Sequence, residues 1–162
     1  MTDMTPQKLR LKRGRRGFSL MELLIVVAII MILAAIAVPS YNKVQMGGHE
    51  TAAARVMETL RVAQQQYFGT FGRFATTLVE LGPPAGGTDG PAGAGLIPGD
   101  LAKGTVSGYV FTMQGTETGY MIQAQPSTFG GTGRRTFYTD QTGVTRQNWG
   151  KDPATSQSPE LK

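Results

Sequence analysis

Nineteen consecutive positions, residues 20–38, read LMELLIVVAIIMILAAIAV and include one charged side chain, Glu22. As an α-helix rising about 1.5 Å per residue, this run is roughly 28 Å long, close to the bilayer core of about 30 Å. Pro39 follows, and its ring and missing N–H predict a local kink or end. Beyond it Ala53, Val56, Met57, Leu60, Ala63 and Tyr67 recur at i, i+3, i+4 and i+7 spacing, the stripe of a helix with one buried face. Glu50, Arg55, Glu58 and Arg61 fall largely off the stripe and are expected to face water. Gly47 and Gly48 form a soft point, since each weakens a helix by about 1 kcal/mol. The pattern predicts one long, interrupted helix over residues 18–68: an apolar half, a weak hinge and an amphipathic half.

The glycines of residues 69–72 should break this helix. Thr77-x-x-Glu80 reads as a capping box for a short turn ending at Gly82-Pro83. Residues 82–104, rich in Gly, Pro and Ala and without periodicity, read as a surface loop. The period then changes over residues 107–148. Tyr109, Phe111 and Met113 alternate with smaller or polar residues, as do Tyr120, Ile122 and Ala124; residues 136–139 and 144–147 continue the series. Glycine-containing turns separate the runs. Four short strands in up-and-down order are predicted, half-buried under the 53–67 stripe. The polar tail 151–162, with Pro153 and Pro159, is expected to fray. The fold class is therefore α+β, a long N-terminal helix packed on a C-terminal antiparallel meander.

Charge changes the picture at one place. The chain of 162 residues has a formal net charge of +5. Lys8, Arg10, Lys12, Arg13, Arg15 and Arg16 against Asp3 account for all of it, while residues 18–162 balance. The excess is a basic flank on the apolar run, the pattern of the cytoplasmic side of a membrane span, and gives no reason to expect nucleic acid as a partner. There is no cysteine, which removes disulfides and thiolate metal sites. No cofactor, metal or catalytic constellation is expected: His49 is the sole histidine, Asp140 stands in a turn, and no nucleophile–base pair or phosphate loop is found, so the chain does not read as an enzyme. Arg134, Arg135 and Lys151 read as a solvated face. The aromatics Phe18, Tyr41, Tyr67, Phe68, Phe71 and Phe74 read as packing residues.

At the junction of flank and run stands Arg15-Arg16-Gly17-Phe18-Ser19-Leu20-Met21-Glu22. This resembles the class III signal of type IV prepilins. In that family the leader is cut after the Gly, the new N-terminal Phe is methylated, and a Glu stands fifth in the mature chain. Those positions are Gly17, Phe18 and Glu22 here, and Pro39 matches a proline that the family carries. The resemblance covers about residues 13–40. It implies residues 1–17 as a removed leader, 18–39 as a transmembrane and assembly helix, and 40–150 as a globular head (helix 40–68, loop 82–104, meander 107–148), with the tail last. It implies as partners copies of the chain and other pilins, a prepilin peptidase/methyltransferase, an inner-membrane assembly platform, and lipid before assembly. The implied location is the bacterial inner membrane, with the head outside the cytoplasm, then an extracellular pilus or a periplasmic pseudopilus. Glu22 inside the apolar run needs a partner; in the family it is thought to meet a neighbouring subunit's N-terminus.

Three functions stay open on these residues. The chain is a pilus subunit serving adhesion, twitching motility or DNA uptake, a type II secretion pseudopilin, or a secreted or anchored binding module. An ordinary signal peptide cut near Ala35-Ile36-Ala37 belongs to the third.

Overall fold

A computed structural model describes residues 17–116 and 118–162. The basic flank from Lys8 to Arg16, with Asp3, lies outside the described residues. The chain divides into two compact units, Met1–Pro39 and Ser40–Lys162.

Helix α1 spans Leu20–Phe71 and contributes to both units. It is unbroken. The helix does not end at Pro39 or at Gly47 and Gly48, because one proline removes a single ladder bond and a helix with many bonds on both sides propagates cooperatively through it. Thr51 Oγ1 also donates to the Gly47 carbonyl at 2.9 Å. In the first unit every described side chain is exposed, although nearly all are apolar.

In the second unit α1 buries Met46, Glu50, Ala53, Met57, Leu60, Ala63, Gln64 and Tyr67, the expected stripe extended by Met46 and by two polar residues, Glu50 and Gln64. Val56 is only partly buried against it. Gly72, at φ 69°, ends the helix in the left-handed region where glycine is favoured.

The sheet has five strands, β1 (Thr105–Val106), β2 (Tyr109–Thr116), β3 (Gly119–Pro126), β4 (Arg135–Asp140) and β5 (Arg146–Trp149). They lie in sequence order and pair antiparallel throughout, so the meander stands, with a two-residue edge strand added in front. The register Phe111↔Ala124 and Ala124↔Phe137 aligns the inward positions. Tyr109, Phe111, Tyr120, Ile122, Ala124 and Phe137 meet Ala53, Met57, Leu60 and Tyr67 of α1 in one core.

Two segments expected to be loose are docked. Residues 82–104 include a one-turn helix and bury Ile97 and Leu101. Leu96 N–H donates to the Leu81 carbonyl at 2.9 Å and Ala94 N–H to the Glu80 carbonyl at 2.8 Å. The tail does not fray: Leu161 N–H bonds the Thr145 carbonyl, Gln147 N–H bonds the Pro159 carbonyl, and Ala154 is fully buried. Thr136 Oγ1 donates to Asp152 O and Gln123 Nε2 to Ala154 O, which place the tail on the outer face of β3 and β4. This explains why β4 is buried on both faces, and the tail also closes the β5 edge that would otherwise invite pairing.

Candidate functional site

The segment from Gly17 to Met31 combines a polar start with an apolar continuation. Gly17 and Phe18 precede the helix, and Phe18 is 90% exposed. Ser19 is the first capping residue: Met21 N–H donates to Ser19 Oγ at 3.3 Å and Ser19 N–H donates to Glu22 Oε2 at 2.8 Å. These two bonds form a reciprocal capping box that satisfies N–H groups left over at a helix start, and the carboxylate complements the positive end of the helix dipole. Sequence reasoning about Glu22 missed this. The signal was present as Ser19-x-x-Glu22, the same pattern read at Thr77-x-x-Glu80.

At Thr77 the box does not form, as Thr77 makes no side-chain cap bond. Glu80 turns to Thr76 instead, accepting from its Oγ1 at 2.5 Å and its N–H at 3.3 Å, and from Arg73 at 2.9 Å and Tyr67 Oη at 3.1 Å. Burial pushes its pKa up, but these donors outweigh it and hold the carboxyl below its ordinary value.

After Glu22, the side chains of Leu20, Leu23, Leu24, Val27, Ala28 and Met31 line one apolar groove along the helix. Over residues 20–38 the helix is apolar all round apart from Glu22, and it is long and apolar enough to cross a membrane. An apolar surface of that extent requires lipid or protein neighbours. Pro39 sits inside α1, eight residues past Met31.

The other candidates fall in the head. Glu50, expected in water, is 6% exposed and pairs with Arg135, while its other oxygen accepts the Arg134 N–H at 2.8 Å. Arg135 also lies over the Phe137 and Trp149 rings, so the Arg134-Arg135 pair is partly spent inside the fold. Asp140 caps its own turn through Thr142, whose N–H lies 2.9 Å from Oδ1. Among the described residues no cluster of three His, Cys, Asp or Glu side chains forms, and His49 is not joined to such a group. Tyr67 and Phe71 pack at 4.6 Å, and Phe68, Phe74 and Tyr120 stack in series at 4.6 and 5.1 Å. Phe18 and Tyr41 stay exposed.

An exposed, capped apolar helix joined in sequence to an α+β head with a meander sheet defines a pilin-like protein. Residues 12–38 match the family described as "Prokaryotic N-terminal methylation motif". The chain is 31% identical over 120 residues to the "Fimbrial protein EcpC" of Eikenella corrodens, an alignment that covers 65% of this chain and 78% of that protein. It is 41% identical over 73 residues to the "Type IV major pilin protein PilA" of Myxococcus xanthus, covering 45% of this chain and 33% of the relative. A "Fimbrial protein" of Pseudomonas aeruginosa is 43% identical over 53 residues, covering about a third of each chain. The chain thus spans about a third of two of these relatives and most of the other. It belongs to the type IV pilin family. None of these relatives bears an enzyme's name.

Proposed function

We propose that this chain is a structural subunit of a type IV pilus, made as a membrane-anchored precursor and polymerised into a helical filament. Residues 1–17 act as the leader and cleavage follows Gly17, whose lack of a side chain lets the backbone fit a peptidase cleft. The freed Phe18 α-amino group is methylated. Residues 18–39 anchor the precursor in the inner membrane and then pack against other copies in the filament, with Pro39 marking the end of that segment. Residues 40–150 form the head outside the cytoplasm, and 151–162 its tail.

The observation that carries this reading is Gly17-Phe18 placed directly before a capped helix whose apolar side chains over residues 20–38 are all exposed. Processing would remove six basic residues that hold the chain to the cytoplasmic face. Glu22 has two carboxylate oxygens with about four acceptor positions. Among the described residues Glu22 accepts one bond, from Ser19, which leaves room for the α-amino group of a neighbouring Phe18, which would set the register between copies. The partners are then other copies and other pilins, a prepilin peptidase/methyltransferase, an assembly platform, and lipid before assembly. The names of the relatives, pilin and fimbrial protein, favour a pilus over a secretion pseudopilus.

Mass spectrometry of filaments sheared from cells tests the reading. A mature chain beginning at methylated Phe18 is expected. An intact Met1, or a soluble form beginning near Val38, would overturn it.

A further inference from the structure

One end of the sheet gathers the β1–β2 turn, residues 127–134 and the end of β5. Helix α1 passes this end at His49 and Glu50. Glu50 binds Arg134 and Arg135, and a Cβ on Gly108 would meet Thr132 at 3.0 Å and the His49 ring at 3.5 Å. The other end lies beside later residues: a Cβ on Gly115 would meet Ala75, and one on Gly143 would meet Arg61. Within the second unit the first end therefore lies beside the early part of α1 and the other end beside its later part.

That end displays two large aromatics. Phe129 is 44% exposed at the tip of a connection tightened by Gly130 N–H to Gly133 O at 2.8 Å and Thr132 N–H to Thr128 O at 2.9 Å. Trp149 is 68% exposed, with the Arg135 guanidinium 4.9 Å from its ring centroid. Gly150 N–H bonds the Arg134 carbonyl at 3.1 Å, which ties the two segments together. Arg134, next to Arg135 in the chain, and Lys151, two residues past Trp149, are exposed. Lys43, also exposed, precedes Met46 and Glu50 at helical i+3 and i+7 spacing and so shares their side of α1. Glu50 is consumed by Arg135; among the described residues named at this end, exposed Asp152 stands against the three cations Lys43, Arg134 and Lys151.

Exposed Trp and Phe interleaved with Arg and Lys make up the composition favoured at a membrane–water boundary. There aromatic rings sit at headgroup level and basic side chains meet anionic lipid. We propose that this sheet end docks on anionic phospholipid headgroups while the subunit is anchored in the membrane before assembly, with Trp149 and Phe129 among the headgroups and Lys43, Arg134 and Lys151 on the phosphates. The proposal rests on the membrane-anchored reading above.

Trp149 is the sole tryptophan, so its fluorescence reports the contact directly in the full chain. The chain is placed at one copy per nanodisc of phosphatidylethanolamine and phosphatidylglycerol. Trp149 emission should shift to the blue relative to the chain in neutral detergent and lose access to iodide. A nitroxide on the lipid headgroup should quench it more than one at the acyl-chain end. Pure phosphatidylcholine or high salt should weaken all three effects. Combining Arg134→Glu with Lys151→Glu should abolish them while the melting of the head stays unchanged. Water-like, iodide-accessible emission in anionic discs, or quenching indifferent to the charge reversal, would overturn the proposal. So would a blue shift that grows with copies per disc without headgroup quenching, which would mean that a second copy covers the surface. Failure of the chain to enter the disc would overturn the membrane reading itself, and this proposal with it.

Discussion

Glu50 Oε2 accepts the Arg135 Nε–H at 2.7 Å, fastening the middle of α1 to the first residue of β4 across 85 residues of chain. Both partners are mostly buried, with side chains 8% and 20% exposed. Removing one partner strands the other, whereas removing both need not. Glu50→Ala should lower the head's stability by about 3 kcal/mol, and Glu50→Leu combined with Arg135→Met by clearly less. Thermal or urea unfolding of the full chain in detergent measures both. A double variant at least as damaged as the single would show that the pair is not coupled.

The glycines separate into two kinds. A Cβ on Gly115 would lie 2.7 Å from the Ala75 carbonyl oxygen and 2.9 Å from Thr76 Cα, both backbone atoms that cannot swing aside. Gly115→Ala should therefore cost about 2 kcal/mol through overpacking. At Gly48, within α1, a Cβ meets nothing within 4 Å. Gly48→Ala should raise stability by about 0.5–1 kcal/mol, the helix-propensity difference. The same unfolding experiment compares them, and equal signs would contradict this assignment.

Glu80 and Tyr120 contribute to the head's stability range at its acid and alkaline ends. Glu80 has its carboxyl held below the ordinary value of 4.5, because bonds from Thr76, Arg73 and Tyr67 outweigh the opposing effect of burial. A folded pKa below the unfolded one means that the unfolded chain takes up its proton first as pH falls. The contribution is thus complete above pH 4.5 and is lost as pH falls through the lower folded value. Glu80→Gln should flatten the acid limb of a stability–pH curve. At the alkaline end burial raises the Tyr120 hydroxyl to about 12, with Arg61 opposing and Asp140 and Glu58 adding to the rise. Its contribution is complete below the ordinary 10 and lost as pH climbs through about 12. That hydroxyl is buried and has no hydrogen-bond partner among the described residues. Tyr120→Phe should therefore remove this residue's share of the alkaline limb, leaving that of Tyr67, Tyr109 and Tyr138, and gain about 1 kcal/mol at neutral pH, as a buried unsatisfied group is lost.

How far the chain could be read depended on the kind of signal. The 53–67 stripe and the alternation at Tyr109–Thr116 and Gly119–Pro126 were legible because a periodic element repeats its burial several times. Glu50 was misplaced because charge argues for water unless a partner is known, and Arg135 is distant in sequence. Ile97, Leu101 and Ala154 were missed for a related reason: a docked segment without regular structure buries single residues with no period to announce them. Glu80 shows the limit of a local motif. The sequence pairs it with Thr77, but Arg73, Tyr67 and Thr76 together offer more donors. Gly17, Phe18, Glu22 and Pro39 were chosen from the sequence. What the structure adds at Glu22 is the cap with Ser19, which a lone carboxylate in an apolar run had not suggested.

That cap lets the two roles of Glu22 be separated. If Glu22 served only the helix start, Glu22→Gln would keep an acceptor for the Ser19 N–H and filaments would form normally. If its charge meets the α-amino group of a neighbouring Phe18, then Glu22→Gln should fail to polymerise as fully as Glu22→Leu, while both stay membrane-bound. Ser19→Ala supplies the complementary case. It removes the hydroxyl that accepts from Met21, costs about 1 kcal/mol at the helix end, and leaves the Glu22 charge in place, so fibre yield should stay near wild type. Gly17→Ala should act earlier, leaving an uncut precursor that never enters filaments. Yield of sheared filaments by electron microscopy, together with the mass of the N-terminal peptide, reads all four variants. Wild-type fibres from Glu22→Gln would reduce the glutamate to a helix cap, and normal cleavage of Gly17→Ala would remove the peptidase argument.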